Sequence, residues 1–300
     1  MKPLYMWAGG KNKMIPKYQN DPGIPYSGYD TFVEPFFGGG AMMIHIASKN
    51  PHIKKFVLND INAEIVNLYN AIKSDVDGFI TECDILCNQY IPMAKADRKK
   101  FFYEIREKYI TESEYSTWTP VKEAAVLYFL MKTAFNGIFQ STKAAKGRFA
   151  TPCGLLNHKE HVYDKENVLE WNVFLQKVDI YSGDWKDCTK KIKGKAFYFM
   201  DPPYRNSFTQ YNQDFTDEKQ LEVIEFCKTA DLKGHLVMFC NRDMADDFFT
   251  SNQGQLNINY YDVKYTAGRR ATEDDGSRTA KGAKEVLLFS SVLYGLFEKT

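Results

Sequence analysis

The chain has 300 residues, 44% of them hydrophobic, and its 39 Lys and Arg against 38 Asp and Glu leave a formal net charge of +1. That balance excludes a histone-like polybasic protein, so any contact with nucleic acid must come from a local basic patch. No apolar run is long enough to span a membrane, and the opening MKPLYMWAGGK lacks the continuous apolar stretch of a signal peptide, so a cytoplasmic protein is expected.

In chain order, DTFVEP at 30–35 reads as a short strand that breaks into FFGGG and then the apolar helix AMMIHIAS. KKFVLND at 54–60 is a second strand ending on Asp60, and NAEIVNLYNAIK at 62–73 has apolar residues at helical spacing behind Asn62 as N-cap. Residues 76–135 read as helices, amphipathic around 97–110 and 121–134, and 136–158 as a loop. The alternation then resumes: VDIYSGDW at 178–185 is a strand and turn, KAFYFM at 195–200 a central strand, DEKQLEVIEFCKTA at 217–230 a helix and GHLVMFCN at 234–241 a strand. LNINYYDVKY at 256–265 and KEVLLFS at 284–290 follow with no helix between them, which predicts a terminal antiparallel hairpin on an otherwise mostly parallel α/β sheet. The region of roughly 76–175 is thus inserted between two halves of one sheet. The cysteines Cys83, Cys87, Cys153, Cys188, Cys227 and Cys240 are irregularly spaced; a reducing compartment and no metal site are expected.

FYFMDPPY at 197–204 holds the sharpest signal. An apolar run buried on both faces ends on Asp201, and Pro202 and Pro203 cannot continue a ladder. A carboxylate, a proline carbonyl and the Tyr204 ring are thereby placed at a strand end, the edge where open α/β sheets take their ligands. The glycine turn in VEPFFGGGAMM at 33–43 sits between strand and helix, and Asp60 lies twenty residues beyond Gly40. A carboxylate there suits a ribose, although it also suits a helix cap, and the turn taken alone is as well read as a structural one. The dinucleotide fingerprint is incomplete, because Met43 stands where its third glycine belongs, and no P-loop is present.

Taken in order, WAGGK (7–11), EPFFGGG (34–40), LND (58–60), FNGIF (135–139), GRFATPCG (147–154), DPPY (201–204), FCNRD (239–243) and AKEVLLF (283–289) resemble the Dam-like, D12-class DNA adenine-N6 methyltransferases. The resemblance covers essentially the whole chain. It implies a Rossmann-like methyltransferase sheet, formed by 1–75 and 176–300, that binds S-adenosylmethionine, with 76–175 as a mainly helical target-recognition domain for double-stranded DNA. By the same resemblance Trp7, Lys11, Glu34, Phe36, Gly38, Gly40, Asp60, Asp184 and Asp201 contact the cofactor, Lys11 through its methionine carboxylate and Asp60 through its ribose. Asp201 and the Pro202 carbonyl would each accept one N6–H of an adenine flipped from the duplex, and Tyr204 would stack on it.

Between Lys132 and Lys159 there is no Asp or Glu, whereas Lys143, Lys146 and Arg148 are present. With Asn136 and Gln140, these are the expected DNA contacts, and Arg269 and Arg270 are a second, weaker set. Members that methylate GATC carry a lysine where this chain has Met6 and an arginine where it has Gln140, so GATC is not assigned. Other readings are methylation of RNA adenine or a protein glutamine amide, a non-catalytic DNA-binding relative, and a dinucleotide-dependent oxidoreductase. The inserted region, the intact DPPY and the missing third glycine weigh against them in turn.

Overall fold

The computed structural model describes residues 1–7, 9–205, 215–264, 271–272, 278–279 and 282–293. Strands β1 (Thr31–Glu34), β2 (Lys55–Asp60), β3 (Val178–Ser182), β4 (Ala196–Met200), β5 (Leu236–Asp243) and β6 (Asn257–Lys264) follow the expected positions within two residues. A two-residue pair, β7 (Ala271–Thr272) with β8 (Arg278–Thr279), precedes β9 (Gly282–Phe289). The main sheet has seven strands in the order β3-β2-β1-β4-β5-β9-β6. The first five run parallel, and β9 enters antiparallel between β5 and β6. The expected α/β architecture with an antiparallel end is therefore present.

Eleven α-helices occur among the described residues. They are α1 (Ile15–Asn20), α2 (Ala41–Lys49), α3 (Ala63–Ser74), α4 (Val76–Tyr90), α5 (Lys95–Ile110), α6 (Glu112–Tyr115), α7 (Pro120–Thr133), α8 (Lys165–Leu175), α9 (Trp185–Thr189), α10 (Asp217–Leu232) and α11 (Phe248–Asn252). Asn62 caps α3 as its position predicts, its side chain accepting from the amides of Glu64 and Ile65. None of the helices is long and apolar enough to cross a membrane.

Side chains alternate along each strand, which sorts the sheet into two faces. Phe32, Phe56, Phe197, Phe199, Met238 and Leu287 point to one core, and Val33, Val57, Tyr198, Met200, Val237 and Val286 to the other. The second face is covered by α9, α10 and α11 through Trp185, Val223, Ile224, Cys227 and Phe249. The first carries α2 and α3, and the same continuous core extends into α4, α5, α7 and α8 through Phe79, Phe102, Leu127 and Trp171. These inserted helices thus share the core of the sheet. The loop after α7 is more ordered than its composition indicates, because isolated antiparallel bridges join Ala134 to Cys153 and Ser141 to Phe149.

The chain runs β1 to β2 to β3 outward and then returns to place β4 on the other side of β1. This reversal opens a crevice beyond the carboxyl ends of β1 and β4, where sheets of this kind bind ligands. Glu34 and the glycine turn lie at one lip and Asp201 at the other.

Candidate active site

Asp201 continues the parity of Phe197 and Phe199, so its side chain falls on the face that meets the N-terminal segment. There Lys11, only 3% exposed, places its ammonium 2.7 Å from both Asp201 oxygens. Lys11 also donates to the Tyr204 hydroxyl at 3.0 Å and to the Gly9 carbonyl at 3.2 Å. An ammonium has three protons, and all three are spoken for. A cofactor carboxylate, the partner expected for Lys11, would be engaged by exchanging one of these acceptors. Burial disfavours the charge on Lys11, but the facing Asp201, Tyr204, Cys240 and Glu285 together raise its pKa well above the ordinary lysine value. Burial also draws the Asp201 carboxyl upward, against the pull of Lys11.

The network extends further. The Tyr204 hydroxyl donates to Glu285 Oε1 at 2.7 Å, and the Tyr18 hydroxyl donates to Oε2 at 3.1 Å. Cys240 Sγ lies 3.4 Å from Asp201 Oδ1. Downstream of the prolines the backbone is pinned: Gln220 Nε2 donates to the Pro203 carbonyl at 2.6 Å, and the Arg205 amide donates to Asn241 Oδ1 at 3.1 Å. Arg205 forms a two-pronged bond with Asp217 at 2.7 and 2.8 Å, reaches both oxygens of Asp246 at 3.0 Å, and lies over the Phe248 ring. The strand end is thus held from four directions, while Asp201 and Tyr204 stay partly exposed.

On the other lip, Gly38 and Gly40 have φ of +52° and +63°, a region side chains avoid. Space excludes a Cβ as well. At Gly38 it would come 2.5 Å from Trp7 Nε1, and at Gly40 2.2 Å from the Phe37 ring. Trp7 therefore packs directly on the glycine turn. Glu34 is buried and accepts from the Met43 amide at 3.0 Å, capping the first turn of α2 from outside it; burial, with Asp201 nearby, pushes its carboxyl well up. Asp60 accepts from the amides of Gly38 and Asn62, both at 2.9 Å. It thereby ties the turn to the end of β2, and burial raises its pKa against those bonds. Phe36 packs between Trp185 and Phe215. Asp184 is exposed and caps α9 through the Lys186 amide at 2.8 Å.

The loop after α7 presents Asn136, Gln140 and Lys143 at the surface, and Asn136 has φ +52°. Met6 and Phe135, 63% and 51% exposed, lie on the same side, Met6 against Gly137. Lys146 is exposed and paired with Glu112 at 2.8 Å. Arg148 departs from expectation. Its guanidinium is 2.6 Å from Glu123, stacks on the rings of Tyr109 and Tyr115 at 4.2 and 3.9 Å, and donates to the Tyr109 carbonyl. With its side chain 14% exposed, it braces the loop from within. Arg269 and Arg270 lie outside the described residues. Among the described residues no cluster of His, Cys, Asp and Glu gathers to hold a metal ion.

Sequence reasoning missed Glu285, Tyr18, Cys240 and Arg205. Glu285 was within reach, since a lone acid in the apolar run KEVLLF shares the parity of Leu287 and Phe289 and must face inward. Tyr18 carried no such signal.

Comparison with known proteins agrees with this geometry. Residues 7–266 match the family described as D12 class N6 adenine-specific DNA methyltransferase. The Type II methyltransferase M.MjaIII of Methanocaldococcus jannaschii is 28% identical over 298 residues, covering 97% of this chain and 99% of its own. The Type II methyltransferase M.CviBI of Paramecium bursaria Chlorella virus NC1A is 30% identical over 286 residues, covering 91% and 96%. A DNA adenine methylase of Haemophilus influenzae is 24% identical over 259 residues, covering 81% and 80%. A match over most of the chain, on a sheet whose switch point carries the expected turn and carboxylate, places this protein in the D12 class N6 adenine-specific DNA methyltransferase family.

Proposed function

We propose that the protein transfers a methyl group from S-adenosylmethionine to N6 of an adenine flipped out of duplex DNA, with GATC not assigned as the target. The observation that carries this reading is Asp201, a strand-end carboxylate clamped by a buried lysine beside the partly exposed Tyr204 ring. The crevice suits the cofactor. Its glycine turn, held in shape by Trp7 and Phe37, stands at the carboxyl edge of the sheet, and Asp60 at the end of β2 would take a ribose. Trp7, Phe36, Glu34, Gly38, Gly40 and Asp184 would line or support it.

When bound, S-adenosylmethionine supplies an electrophilic sulfonium methyl. The residues of the chain prepare the nucleophile. Adenine N6 gives its lone pair to the ring and is a poor nucleophile until its protons are held. Asp201 and the Pro202 carbonyl accept those protons and draw the nitrogen toward a pyramidal form, in fixed geometry that needs no reorganisation during reaction. Lys11 enters as the clamp that orients Asp201. The methylated nitrogen releases one proton, and Asp201, whose burial favours its protonated form, is the acceptor nearest to hand. Tyr204 stacks on the flipped base, offsetting about 1–3 kcal/mol of lost stacking.

On the DNA side we assign recognition to 76–175, with Asn136, Gln140, Lys143 and Lys146 as contacts. Arg148 holds the loop in shape. Gln140 presents the donor–acceptor pair that suits adenine, where an arginine would suit guanine. The test is incubation with labelled cofactor and mixed-sequence DNA, followed by mapping of methylated adenines. Asp201→Ala abolishes transfer and leaves DNA binding intact; an active variant would overturn the assignment.

A further inference from the structure

Two side-chain amides sit in the core where the sequence pattern calls for apolar residues. Gln220 opens the buried stripe of α10 that continues through Val223, Ile224 and Cys227, and Asn241 follows Val237 and Phe239 on one face of β5. Both are 0% exposed. A buried amide costs free energy unless its polar atoms are paired, and a leucine would fill either place without that cost.

Each of their four polar atoms has a partner, and the bonds form a one-way series. The Arg205 amide donates to Asn241 Oδ1 at 3.1 Å, Asn241 Nδ2 donates to Gln220 Oε1 at 3.1 Å, and Gln220 Nε2 donates to the Pro203 carbonyl at 2.6 Å. A backbone N–H at one end and a backbone carbonyl at the other leave no choice in how either amide is turned. The Arg242 amide adds a second bond to Asn241 Oδ1 at 2.8 Å. The series starts one residue after Tyr204 and ends one residue before it, so both peptides that flank Tyr204 are held. The ring of Pro203 fixes its φ. With the Pro203 carbonyl held as well, the direction of the Pro202 carbonyl follows.

We propose that Gln220 and Asn241 are positioning residues whose amide relay fixes the backbone around Tyr204 and so aims the Tyr204 ring and the Pro202 carbonyl at the flipped adenine. The inference rests on the roles proposed above for those two groups. It separates base capture from cofactor binding, because the hydrogen bonds of the relay reach Pro203, Arg205 and Arg242 and none of the residues assigned to the cofactor.

The test compares Gln220→Glu and Gln220→Met with wild type, by single-turnover methyl transfer to duplex DNA carrying a site mapped as above. Affinities for S-adenosylmethionine and for the duplex are measured beside it, with melting curves for each protein. Protonated, the introduced carboxyl copies the amide, with an O–H for Pro203 and an oxygen for Asn241; ionised, it has no proton to give and sets a charge against the Pro203 carbonyl. Burial raises its pKa. The ratio of variant to wild-type rate is therefore close to unity at acid pH and falls as pH rises, by about 10²-fold at the basic end, the scale of a misplacement of roughly 1 Å. Arg205, Arg242, Asp217 and Asp246, the charged groups on the elements around Gln220, are common to both proteins, so the ratio isolates the introduced carboxyl. Both affinities hold. Gln220→Met keeps the length without the amide and loses rate at every pH. A ratio independent of pH, or a cofactor affinity that falls in step with the rate, overturns the proposal and leaves the methyltransferase assignment standing. A wild type that methylates no DNA overturns that assignment and this inference with it. Where Gln220→Glu does not fold, Gln220→Met decides: a lower rate with both affinities kept supports the role, and a wild-type rate refutes it.

Discussion

Removal of the Lys11 ammonium tests the centre of this site. Lys11→Met keeps the length of the side chain and deletes the charge. The pair is not a surface ion pair worth about 0–1 kcal/mol, because the two side chains are 3% and 19% exposed. In the variant, Asp201 keeps a thiol 3.4 Å away as the partner of one oxygen. Stranding a buried charge in this way costs about 3–5 kcal/mol. At about 2.1 cal/mol/K of unfolding entropy per residue, a chain of 300 residues then melts roughly 5–8 °C lower, as calorimetry or urea titration would show. Adding Asp201→Leu recovers most of the loss, since the double variant has no charge left to strand. The pH dependence has a definite sign. The Lys11 pKa is raised, so its contribution is complete below the ordinary lysine value and fades only as pH climbs through the higher folded value. At the acid end, the stranded Asp201 can take a proton, so the deficit of the single variant is smaller at pH 5 than at pH 8. A melting point within about 1 °C of wild type, or additive losses in the double variant, would refute the reasoning.

Glu64 is largely covered by Tyr109 and Arg148, and its desolvation raises its pKa to about 7. A raised carboxyl loses stability as pH rises from its unfolded value toward its folded one. Urea titrations of Glu64→Gln against wild type therefore find the variant gaining about 1–3 kcal/mol in relative stability between pH 5 and pH 8; a pH-independent difference counts against this. Gly40→Ala combines a φ of +63° with a Cβ 2.2 Å from a buried ring, and costs about 2–4 kcal/mol in the same measurement. A near-neutral effect would mean that the turn is looser than its contacts indicate. Lys143→Ala and Lys146→Ala each lower the slope of log affinity for DNA against log salt by about 0.9, whereas Arg148→Ala lowers the melting point and leaves the slope alone. A slope unchanged by either lysine moves the DNA path elsewhere.

The fold was legible because its signals are local. Short continuous apolar runs, a glycine turn and an N-cap at Asn62 each act within a few residues, and the strand assignments follow from them directly. The loop after α7 was read as a loop, as it is, but its internal order was not legible, for the complementary reason. Its Gly, Ser and Thr content reads as irregular, but the order comes from side-chain bonds such as Thr151 Oγ1 to the Ile138 carbonyl at 2.6 Å and from the bridge across Ser141 and Phe149. Arg148 shows the same limit for charge. A stretch without acids was read as basic surface, yet the acid that takes its guanidinium is Glu123, on a helix that precedes the stretch.

At the active site the sequence told which residue types gather at the sheet edge, but not how each donor spends its protons. Lys11 and Asp201 are separated by 190 positions, so only the crossing of the N-terminal segment over β4 brings them together. Once they meet, donor counting decides the rest. Three protons on Lys11 meet Gly9, Asp201 and Tyr204, the Tyr204 hydroxyl donates to Glu285, and Glu285 accepts at both of its oxygens. A motif of four residues at one strand end is thus joined by a lysine near the start of the chain and a glutamate near its end. Substitutions at Lys11 and Glu285 should couple to those at Tyr204, since the Tyr204 hydroxyl is hydrogen-bonded to both.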